Sequence, residues 1–310
     1  MNQIPVPAFR PIRSLFPRVA DLVRQRHLLS KRIDTLRLRG DDGADAVVVS
    51  LTSYPGRFPT LPIVLRSLLF QSRVPDAIVV WLDCSPGDLP DWADDFVRSG
   101  IQFRFVKSGL KSHNKWFYAL REFSDSSVVT VDDDIAYPRR TLECLVAAHK
   151  TFPEAVCALR CHRINRTNEG EVLPYWTWGL SNRKGVALGP SDDLIATGCW
   201  GALYPPHVFE GNDFAFDEDL FLRHAPDADD IWLKFMEIIS GRKVYKAKSS
   251  IRMFDIPGTQ SVALAKENCF PDDTGIAGND RAVAALSHLF SAHEQCRRVF
   301  RIKGPSEQRR

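Results

Sequence analysis

The chain has no segment that predicts a membrane crossing and no cysteine spacing that predicts a disulfide framework. No run among its 310 residues approaches the roughly 18 consecutive apolar residues of a transmembrane helix. The first residues also lack the apolar core of a secretory signal. The seven cysteines are irregularly spaced and odd in number, which is typical of reduced thiols in the cytosol. We therefore predict a cytoplasmic protein, and the nearby Cys157, Cys161 and His162 are only weak evidence for zinc.

Positive charge is unevenly distributed, although the net charge is only +3. It concentrates in residues 1–40 and in the tail from Arg297 onward, whereas the long segment between them is acidic. The acidic middle argues against nucleic acid as a partner, while basic ends suit an anionic membrane surface. The first segment also carries a helical apolar stripe beside arginines, which fits either a peripheral position at the inner face of the plasma membrane or packing on the chain's own domain. These residues are Leu15, Val19, Leu22, Val23 and Leu29, beside Arg18, Arg24 and Arg26.

The apolar content of 44% is sufficient for one large core. Asp41, Asp42 and Gly43 interrupt the first helical pattern. We therefore predict a basic, helical extension over residues 1–43, an α/β domain over 44–255, and a C-terminal helical segment with a basic tail over 256–310. Up to residue 150, strand and helix patterns alternate, which predicts a mostly parallel sheet with right-handed crossovers.

The most informative stretch is a buried strand that ends in three carboxylates. Val128–Val131 is strand-type sequence, it continues into Asp132, Asp133 and Asp134, and Pro138 is placed to begin the next helix. The tip of a strand in an open α/β sheet is where ligands bind. Carboxylate oxygens are hard ligands for Mg²⁺ or Mn²⁺, and such a metal can hold a diphosphate. An acidic turn that only caps the helix is the alternative.

A second acidic pair begins a later helix. Asp229 and Asp230 precede Trp232, Phe235 and the other apolar residues of the stretch DADDIWLKFMEII. The pair fits a helix cap favoured by the helix dipole. It equally fits a carboxylate that acts as a general base toward a hydroxyl.

Two further stretches carry groups that suit a nucleotide. The loop LTSYPGRFP follows the first predicted strand and offers a hydroxyl, an aromatic ring and a cation, although an ordinary connecting loop could contain the same residues. A helix that precedes the acidic strand begins with an amide and a second cation, which suit a base or a diphosphate. The candidate nucleotide-binding residues are Thr52, Tyr54, Arg57, Asp83, Asn114 and Lys115, together with Asp132 and Asp133.

Aromatic residues in the second half could form a platform for a sugar. Trp176 and Trp178 lie in a long segment of little periodicity, and Trp200 lies in the glycine-containing strand pattern LIATGCWGALY. Aromatic rings stack on the C–H faces of pyranoses, but they can equally pack a loop onto its core. We predict these three tryptophans as acceptor-binding residues.

Taken in order, the segments SLTSYPGR, IVVWL, VVTVDDDI, ATGCWGALY and DADDIWL resemble a GT-A-fold glycosyltransferase that uses nucleotide sugars. The resemblance spans about residues 45–255. It is strongest toward bacterial polysaccharide glycosyltransferases and extends to exostosin-like domains. It implies a Rossmann-type α/β sandwich with a mostly parallel central sheet, and a metal, Mn²⁺ or Mg²⁺, on Asp134 and Asp132. The acidic pair then becomes the acceptor-side catalytic site.

The resemblance predicts transfer of a sugar from a nucleotide diphosphate sugar, with UDP favoured, to a hydroxyl of a glycan or lipid-linked glycan. Surface polysaccharide biosynthesis is the expected context. Either inversion or retention of configuration is compatible with the residues. Two other classes stay open at this point: a sugar-phosphate nucleotidyltransferase and a non-catalytic glycan-binding protein. A nucleotidyltransferase normally has a glycine-rich, basic phosphate loop after its first strand, and LTSYPGR matches such a loop poorly.

Overall fold

The computed structural model describes residues 19–30, 32–33, 38, 46–106, 109–180, 186–256, 259, 268–269 and 276–301. The helices are α1 Val19–Ser30, α2 Leu61–Leu69, α3 Ala93–Arg98, α4 Asn114–Phe117, α5 Ala119–Glu122, α6 Thr141–Thr151, α7 Glu218–His224, α8 Asp229–Ile239, α9 Gly278–Leu289 and α10 Glu294–Val299. The strands are β1 Val47–Ser53, β2 Ala77–Leu82, β3 Gln102–Phe105, β4 Ser127–Thr130, β5 Ile135–Ala136, β6 Val156–Ala158, β7 Cys161–Arg163, β8 Gly179–Leu180, β9 Leu188–Ser191, β10 Leu194–Ala196, β11 Ala202–Tyr204, β12 Val244–Lys246 and β13 Phe254–Asp255.

Eight strands form the central sheet in the order β3-β2-β1-β4-β11-β6-β12-β9. The pairs within β3, β2, β1 and β4 are parallel, as is the pair β6–β12. β11 runs antiparallel to both β4 and β6. The strands β10, β7 and β8 form a small antiparallel sheet, and β13 pairs with β5. The predicted mostly parallel α/β architecture is confirmed.

Both faces of the central sheet are covered by apolar side chains. Alternate residues of β1 point to opposite faces: Val48 packs in one core cluster, and Val47 and Val49 pack in the other. Trp116 and Trp232 are fully buried on the Val48 side. Burial on both faces explains why β1, β2 and β4 are near-continuous runs of Val, Ile and Leu.

Two segments that the sequence predicts as single strands are each bent into two. Residues 155–164 form β6 in the large sheet and β7 in the small one, and residues 194–204 form β10 in the small sheet and β11 in the large one. A short 3₁₀ turn, Gly198–Trp200, makes the second bend. Gly201 has a φ of +96°, and a Cβ there would lie 3.2 Å from Leu145 Cδ1. Glycine is therefore required where the chain changes sheet.

Two predicted helix starts differ from the structure. The segment 111–123 is a 3₁₀ turn followed by α4 and α5 rather than one helix. Pro138 is not the first residue of α6. It lies three residues before the helix, where its carbonyl accepts hydrogen bonds from the backbone N–H and the hydroxyl of Thr141.

Helix α1 packs against α2. Leu28 contacts the adjoining core cluster, but Val23 and Leu29 of the predicted apolar stripe are 60% and 47% exposed. Leu15 and Arg18 lie outside the described residues, as do the side chains of Val19, Leu22 and Arg24. Among the helices that the structure describes, none is long and apolar enough to span a membrane.

In the C-terminal part of the chain, α9 and α10 pack against α8. The three-part domain division stays a prediction.

Candidate active site

The candidate site lies at the edge of the central sheet where β1, β2 and β4 end. Because these strands are parallel, Ser53, Asp83 and Asp132 follow their carboxyl ends at the same edge. β11 enters the sheet from this edge, and its register pairs Ala202 with Thr130 of β4. The turn Gly198–Trp200, which precedes β11, is thereby brought beside the acidic triplet.

Asp133 and Asp134 are held in a polar pocket from which water is largely excluded. Ser53 Oγ donates to Asp133 Oδ2 at 2.7 Å. The Arg57 guanidinium is buried, and its nitrogens lie 3.7 Å from Asp133 Oδ1 and 3.7 Å from Asp134 Oδ2. Burial raises the pKa of Asp133 to about 6. Burial and the two neighbouring carboxylates raise the pKa of Asp134 to about 7. The triplet therefore concentrates more negative charge than Arg57 neutralises.

Lys115 joins the two acidic groups that are far apart in sequence. Its Nζ lies 2.7 Å from Asp132 Oδ1 and 3.1 Å from Asp229 Oδ2. The side chain is buried, and the nearby carboxylates, which outweigh the effect of burial, hold its pKa well above the ordinary value. Gly198 makes room for this cluster, because a Cβ at that position would lie 3.3 Å from Lys115 Nζ and 3.5 Å from Asp230 Oδ1.

The two carboxylates that begin α8 lie in different environments. Burial would raise the pKa of Asp229, but the charges of Lys115 and His113, together with hydrogen bonds to its carboxylate, hold it below the ordinary value. Burial and the adjacent Asp229 raise the pKa of Asp230 to about 7. Asp230 Oδ1 accepts a hydrogen bond from the Gly198 N–H at 3.1 Å, whereas Ala228 is the capping residue of α8 and makes no side-chain cap. The pair therefore faces the turn and Lys115. Asp230 is the member that is suited to exchange a proton near neutral pH.

The candidate nucleotide-binding residues surround the ends of β1 and β2. Tyr54 is 44% exposed, and its Cε2 would lie 2.6 Å from a Cβ at Gly56, so glycine allows the ring to fold over the loop. Thr52 Oγ1 donates to the Trp81 carbonyl at 3.0 Å, which leaves its lone pairs for a ligand. Arg57, the cation of this loop, is buried against the acidic triplet, and its Nη1 donates to the Thr259 carbonyl.

Asn114 is buried directly before Lys115. Neither its Oδ1 nor its Nδ2 has a hydrogen-bond partner in the part of the chain that the structure describes. A buried amide without partners costs free energy that a bound ligand can recover. Asp83, at the tip of β2, is half-buried.

A divalent metal fits the chemistry of the acidic triplet. The described residues contain no group of three or more His, Cys, Asp or Glu side chains arranged to hold a metal by themselves. Mg²⁺ and similar ions are nevertheless bound by one or two carboxylates together with substrate phosphates and water, rather than by a complete protein cage. The pKa of Asp134 is raised first by burial and then by the neighbouring carboxylates Asp132 and Asp133, and a cation would relieve the repulsion among these three. The residues present therefore fit a metal that arrives with a diphosphate.

The three tryptophans predicted to bind an acceptor are not equivalent. Trp178 is only 2% exposed, its Nε1 donates to the Leu173 carbonyl at 2.8 Å, and its ring packs against Tyr175 and Phe300. This packing leaves no ring face for a sugar, and we drop Trp178 from the acceptor site. Trp176 and Trp200 are half-buried, and Trp200 belongs to the turn beside Asp230.

The structure adds residues to the site that the sequence does not single out. Tyr137 donates from its hydroxyl to the Cys199 carbonyl at 2.9 Å and accepts from the Asp132 N–H at 2.8 Å, which ties the triplet to the turn. Ser53 and Arg160 also contact this region. The two glycines of ATGCWGALY are the one sequence signal that could have indicated the turn, whereas Tyr137 carries no such signal.

The sequence was compared with known protein families and structures. The family model described as glycosyl transferase family 2 matches residues 47–206, which is more than half of the chain. The chain belongs to this family. It is therefore a glycosyltransferase, and the predicted identification as a GT-A-fold enzyme of the nucleotide-sugar type is confirmed. The family assignment also decides against the nucleotidyltransferase and the non-catalytic glycan-binding protein.

Solved structures with a similar chain path are distant in sequence. A mannosyltransferase from Pyrobaculum calidifontis, solved with GDP-mannose and Mn²⁺, has a TM-score of 0.44 and 16% identity over 88% of this chain and 71% of that one. TarS residues 1–349 from S. aureus has a TM-score of 0.49 and 15% identity over 85% and 77% of the two chains. Glucosyl-3-phosphoglycerate synthase from Mycobacterium tuberculosis has a TM-score of 0.30 and 17% identity over 37% and 43%. No curated sequence matches the chain.

Proposed function

We propose that this family 2 glycosyltransferase is metal-dependent and transfers a sugar from a nucleotide diphosphate sugar, with UDP favoured, to a hydroxyl of a glycan or a lipid-linked glycan. Surface polysaccharide biosynthesis at the cytoplasmic side of the membrane is the proposed context. The observation that carries the proposal is the ion-pair cluster around Lys115, in which the strand-tip carboxylate Asp132 and the helix carboxylate Asp229 share one cation. One pocket thereby contains acidic groups for both the donor and the acceptor.

On the donor side, the exposed Tyr54 ring would stack on the base, and Asn114 would hydrogen-bond to the nucleotide. Lys115 would compensate diphosphate charge, and Thr52, Asp83, Asp132 and Asp133 complete the proposed nucleotide site. Asp134 and Asp132 would hold the metal. When bound, a divalent ion stabilises the negative charge that develops on the departing diphosphate.

On the acceptor side, Asp230 would accept the proton of the attacking hydroxyl. A group with a pKa of about 7 is ionised in a substantial fraction of molecules at neutral pH and still gains driving force for proton transfer. Attack of that oxygen on the anomeric carbon forms the new glycosidic bond while the bond to the nucleoside diphosphate breaks. Direct displacement of this kind inverts the configuration. Asp229, which Lys115 holds ionised, would position the cation rather than take the proton.

The metal assignment is tested by replacing Asp134. We expect Asp134→Asn to abolish Mn²⁺-dependent binding of UDP without unfolding the protein. The charged form of this side chain is disfavoured in the fold, so the amide should leave the melting temperature unchanged or slightly raised. Calorimetric titration with UDP, with and without Mn²⁺, measures the effect.

The matched control is Asp94→Asn, an exposed acid in the first turn of α3. It should bind UDP and Mn²⁺ as the unaltered protein does. Unchanged Mn²⁺-dependent affinity in the Asp134→Asn protein would remove the metal from this carboxylate.

Membrane association is proposed for helix α1. Its exposed Val23 and Leu29 lie on the helix that also carries the exposed Arg26. Burying an apolar side chain of this size contributes about 1.5–3 kcal/mol, and a basic residue near an anionic surface contributes about 1 kcal/mol. We expect the double variant Val23→Ser/Leu29→Ser to lose at least tenfold in partitioning to phosphatidylserine-containing vesicles, measured by co-sedimentation.

Val97→Ser is the control, because Val97 is an apolar residue of similar exposure, 53%, on the surface of α3. Equal vesicle binding by the double variant and the control would contradict a membrane role for α1. Deleting the helix would be a poorer test, because Leu28 and Ile33 pack into the core.

A further inference from the structure

Among the described residues Arg160 has no acidic partner, although it contacts the turn of the candidate site. Its Nη1 donates to Cys199 Sγ at 3.2 Å and to Thr197 Oγ1 at 3.4 Å. In the part of the chain that the structure describes, it forms no ion pair, and its Nε and Nη2 make no hydrogen bond. The side chain is partly exposed, and these nitrogens are not enclosed. The planar fork of the guanidinium is therefore available to an anion.

Its two contacts do not neutralise its charge. Thr197 offers a hydroxyl, and Cys199 offers a thiol whose pKa is raised by burial, so the thiol stays protonated at neutral pH. A cation that is partly removed from water, and whose hydrogen-bond partners among the described residues are neutral, can attract an external carboxylate or phosphate.

The sheet order places Arg160 on the side of the turn away from the donor carboxylates. β11 lies between β4 and β6 and pairs Ala202 with Thr130 on one side and with Ala158 on the other. The acidic triplet follows β4, whereas Arg160 follows β6. The turn Gly198–Trp200 separates them, and the same turn contacts Asp230 through the Gly198 N–H. The guanidinium and the proposed base therefore contact the same turn.

An aromatic surface accompanies this cation. Arg160 Cζ lies 6.0 Å from the centroid of the Trp200 ring, within the range of a cation–π contact. Trp200 is half-buried. A ring that can contact the C–H face of a pyranose, next to a guanidinium that can bind an anion, matches a sugar that carries a negative charge.

We propose that Arg160 and Trp200 form an acceptor subsite for a sugar with an anionic group, a carboxylate or a phosphate, near the hydroxyl that is glycosylated. The inference rests on the proposed function, because it assumes that Asp230 faces the acceptor. It adds a chemical class to the acceptor, namely a uronic acid or a sugar phosphate, and excludes a neutral sugar as the preferred substrate.

Matched sugars test the inference on the full chain in the presence of Mn²⁺ and UDP. The probes are methyl glucopyranoside, methyl glucuronide and methyl glucoside 6-phosphate, together with their galacto-configured counterparts. Calorimetry gives the affinity of each. We expect the preferred anionic probe to bind at least tenfold more tightly than its neutral partner. Preference for the carboxylate would identify a uronic acid, and preference for the phosphate would identify a sugar phosphate.

Variants of Arg160 show whether this residue causes the preference. Arg160→Gln should bind neutral and anionic probes equally. Arg160→Lys, which keeps the charge but not the planar fork, should keep part of the preference. Arg163→Gln removes a nearby exposed arginine and should behave like the unaltered protein. Melting temperatures establish that each variant folds.

Two results of the sugar titrations would overturn the inference. One is the absence of any anionic probe that binds the unaltered protein more tightly than its neutral partner. The other is an undiminished preference in Arg160→Gln, or in Arg160→Lys if the glutamine variant does not fold. The affinity for UDP separates these failures from a failure of the proposed function. We expect Arg160→Gln and Arg160→Lys to bind UDP as tightly as the unaltered protein does. Loss of UDP affinity in Arg160→Gln would assign the guanidinium to the donor and likewise overturn the acceptor subsite.

Discussion

Replacing Lys115 with methionine is expected to destabilise the protein more than replacement of any exposed cation, and to abolish transfer. Methionine keeps the length of the side chain but leaves Asp132 and Asp229 without their shared partner. Removing one member of a buried ion pair costs about 3–5 kcal/mol, because the other member is left uncompensated. Transfer should be lost as well, since the same cation belongs to the proposed donor site.

The pH dependence of the lost stability shows whether the unpaired Asp229 causes it. In the unaltered protein the pKa of Asp229 lies below its ordinary value, because Lys115, with His113 and hydrogen bonds to the carboxylate, more than offsets burial. Its contribution to stability is therefore present above the unfolded pKa and is lost only as the pH falls through the folded one. In Lys115→Met the largest of the groups that oppose burial is removed, so we expect the folded pKa of Asp229 to exceed the unfolded one. The stability of the variant should then decrease as the pH rises above about 4.

Urea unfolding at pH 5 and pH 7.5 measures both effects, and the deficit of Lys115→Met should be larger at pH 7.5. Lys111→Met is the matched control: Lys111 Nζ pairs with Asp227 Oδ1 at 2.6 Å, but both side chains are largely solvent-accessible. Such exposed pairs contribute about 0–1 kcal/mol. A deficit in Lys115→Met that is no greater than in this control, or that does not change with pH, would contradict the central role of Lys115.

The sequence predicts the half of the site that is built on regular strands. The strands β1, β2 and β4 are buried on both faces, so their apolar runs are continuous and their ends are clear. Carboxylates that follow such a run must lie at the carboxyl edge of the sheet. The acidic triplet and Asp83 could therefore be assigned to one edge without any knowledge of the fold.

The other half depends on changes of sheet that the sequence signals only through the two glycines of ATGCWGALY. Both segments remain strand-type throughout, although residues 155–164 pass from the large sheet to the small one and residues 194–204 pass from the small sheet to the large one. The positions of Arg160 and Tyr137 beside the turn follow from that bend and from the antiparallel register of β11. The prediction for Trp178 fails for another reason: in the sequence, a tryptophan that anchors a loop looks the same as a tryptophan that stacks on a sugar. The role of Lys115 as a bridge also requires the three-dimensional path of the chain.

Asp230→Asn is expected to reduce transfer by roughly 10²–10⁴-fold, the usual contribution of a general base. The amide keeps the size of the side chain, and its oxygen can still accept the hydrogen bond that Gly198 donates to Asp230 Oδ1. The turn should therefore be preserved, and UDP should still bind in the presence of Mn²⁺. A single-turnover assay with a radiolabelled nucleotide sugar measures transfer, and calorimetry measures UDP affinity.

Two further readouts separate a base from a purely structural residue. Transfer by the unaltered protein should rise as the pH increases through about 7, the pKa of Asp230, because only the carboxylate accepts a proton. The residual activity of Asp230→Asn should lack this rise. The folded pKa exceeds the unfolded one, so Asp230 makes the fold less stable as the pH rises toward 7. The variant should therefore melt at the same or a higher temperature at pH 8.

Controls assign the role within the acidic pair. Asp219→Asn changes an exposed acid in the first turn of α7 and should leave transfer unchanged, because the effect of an acid on the helix dipole is small. Asp229→Asn should lower transfer through Lys115 while keeping the rise in activity with pH. Near-normal transfer by Asp230→Asn would show that this carboxylate is not the base. Loss of UDP affinity together with transfer would place Asp230 on the donor side, and the attacking hydroxyl would then need a base from another part of the chain.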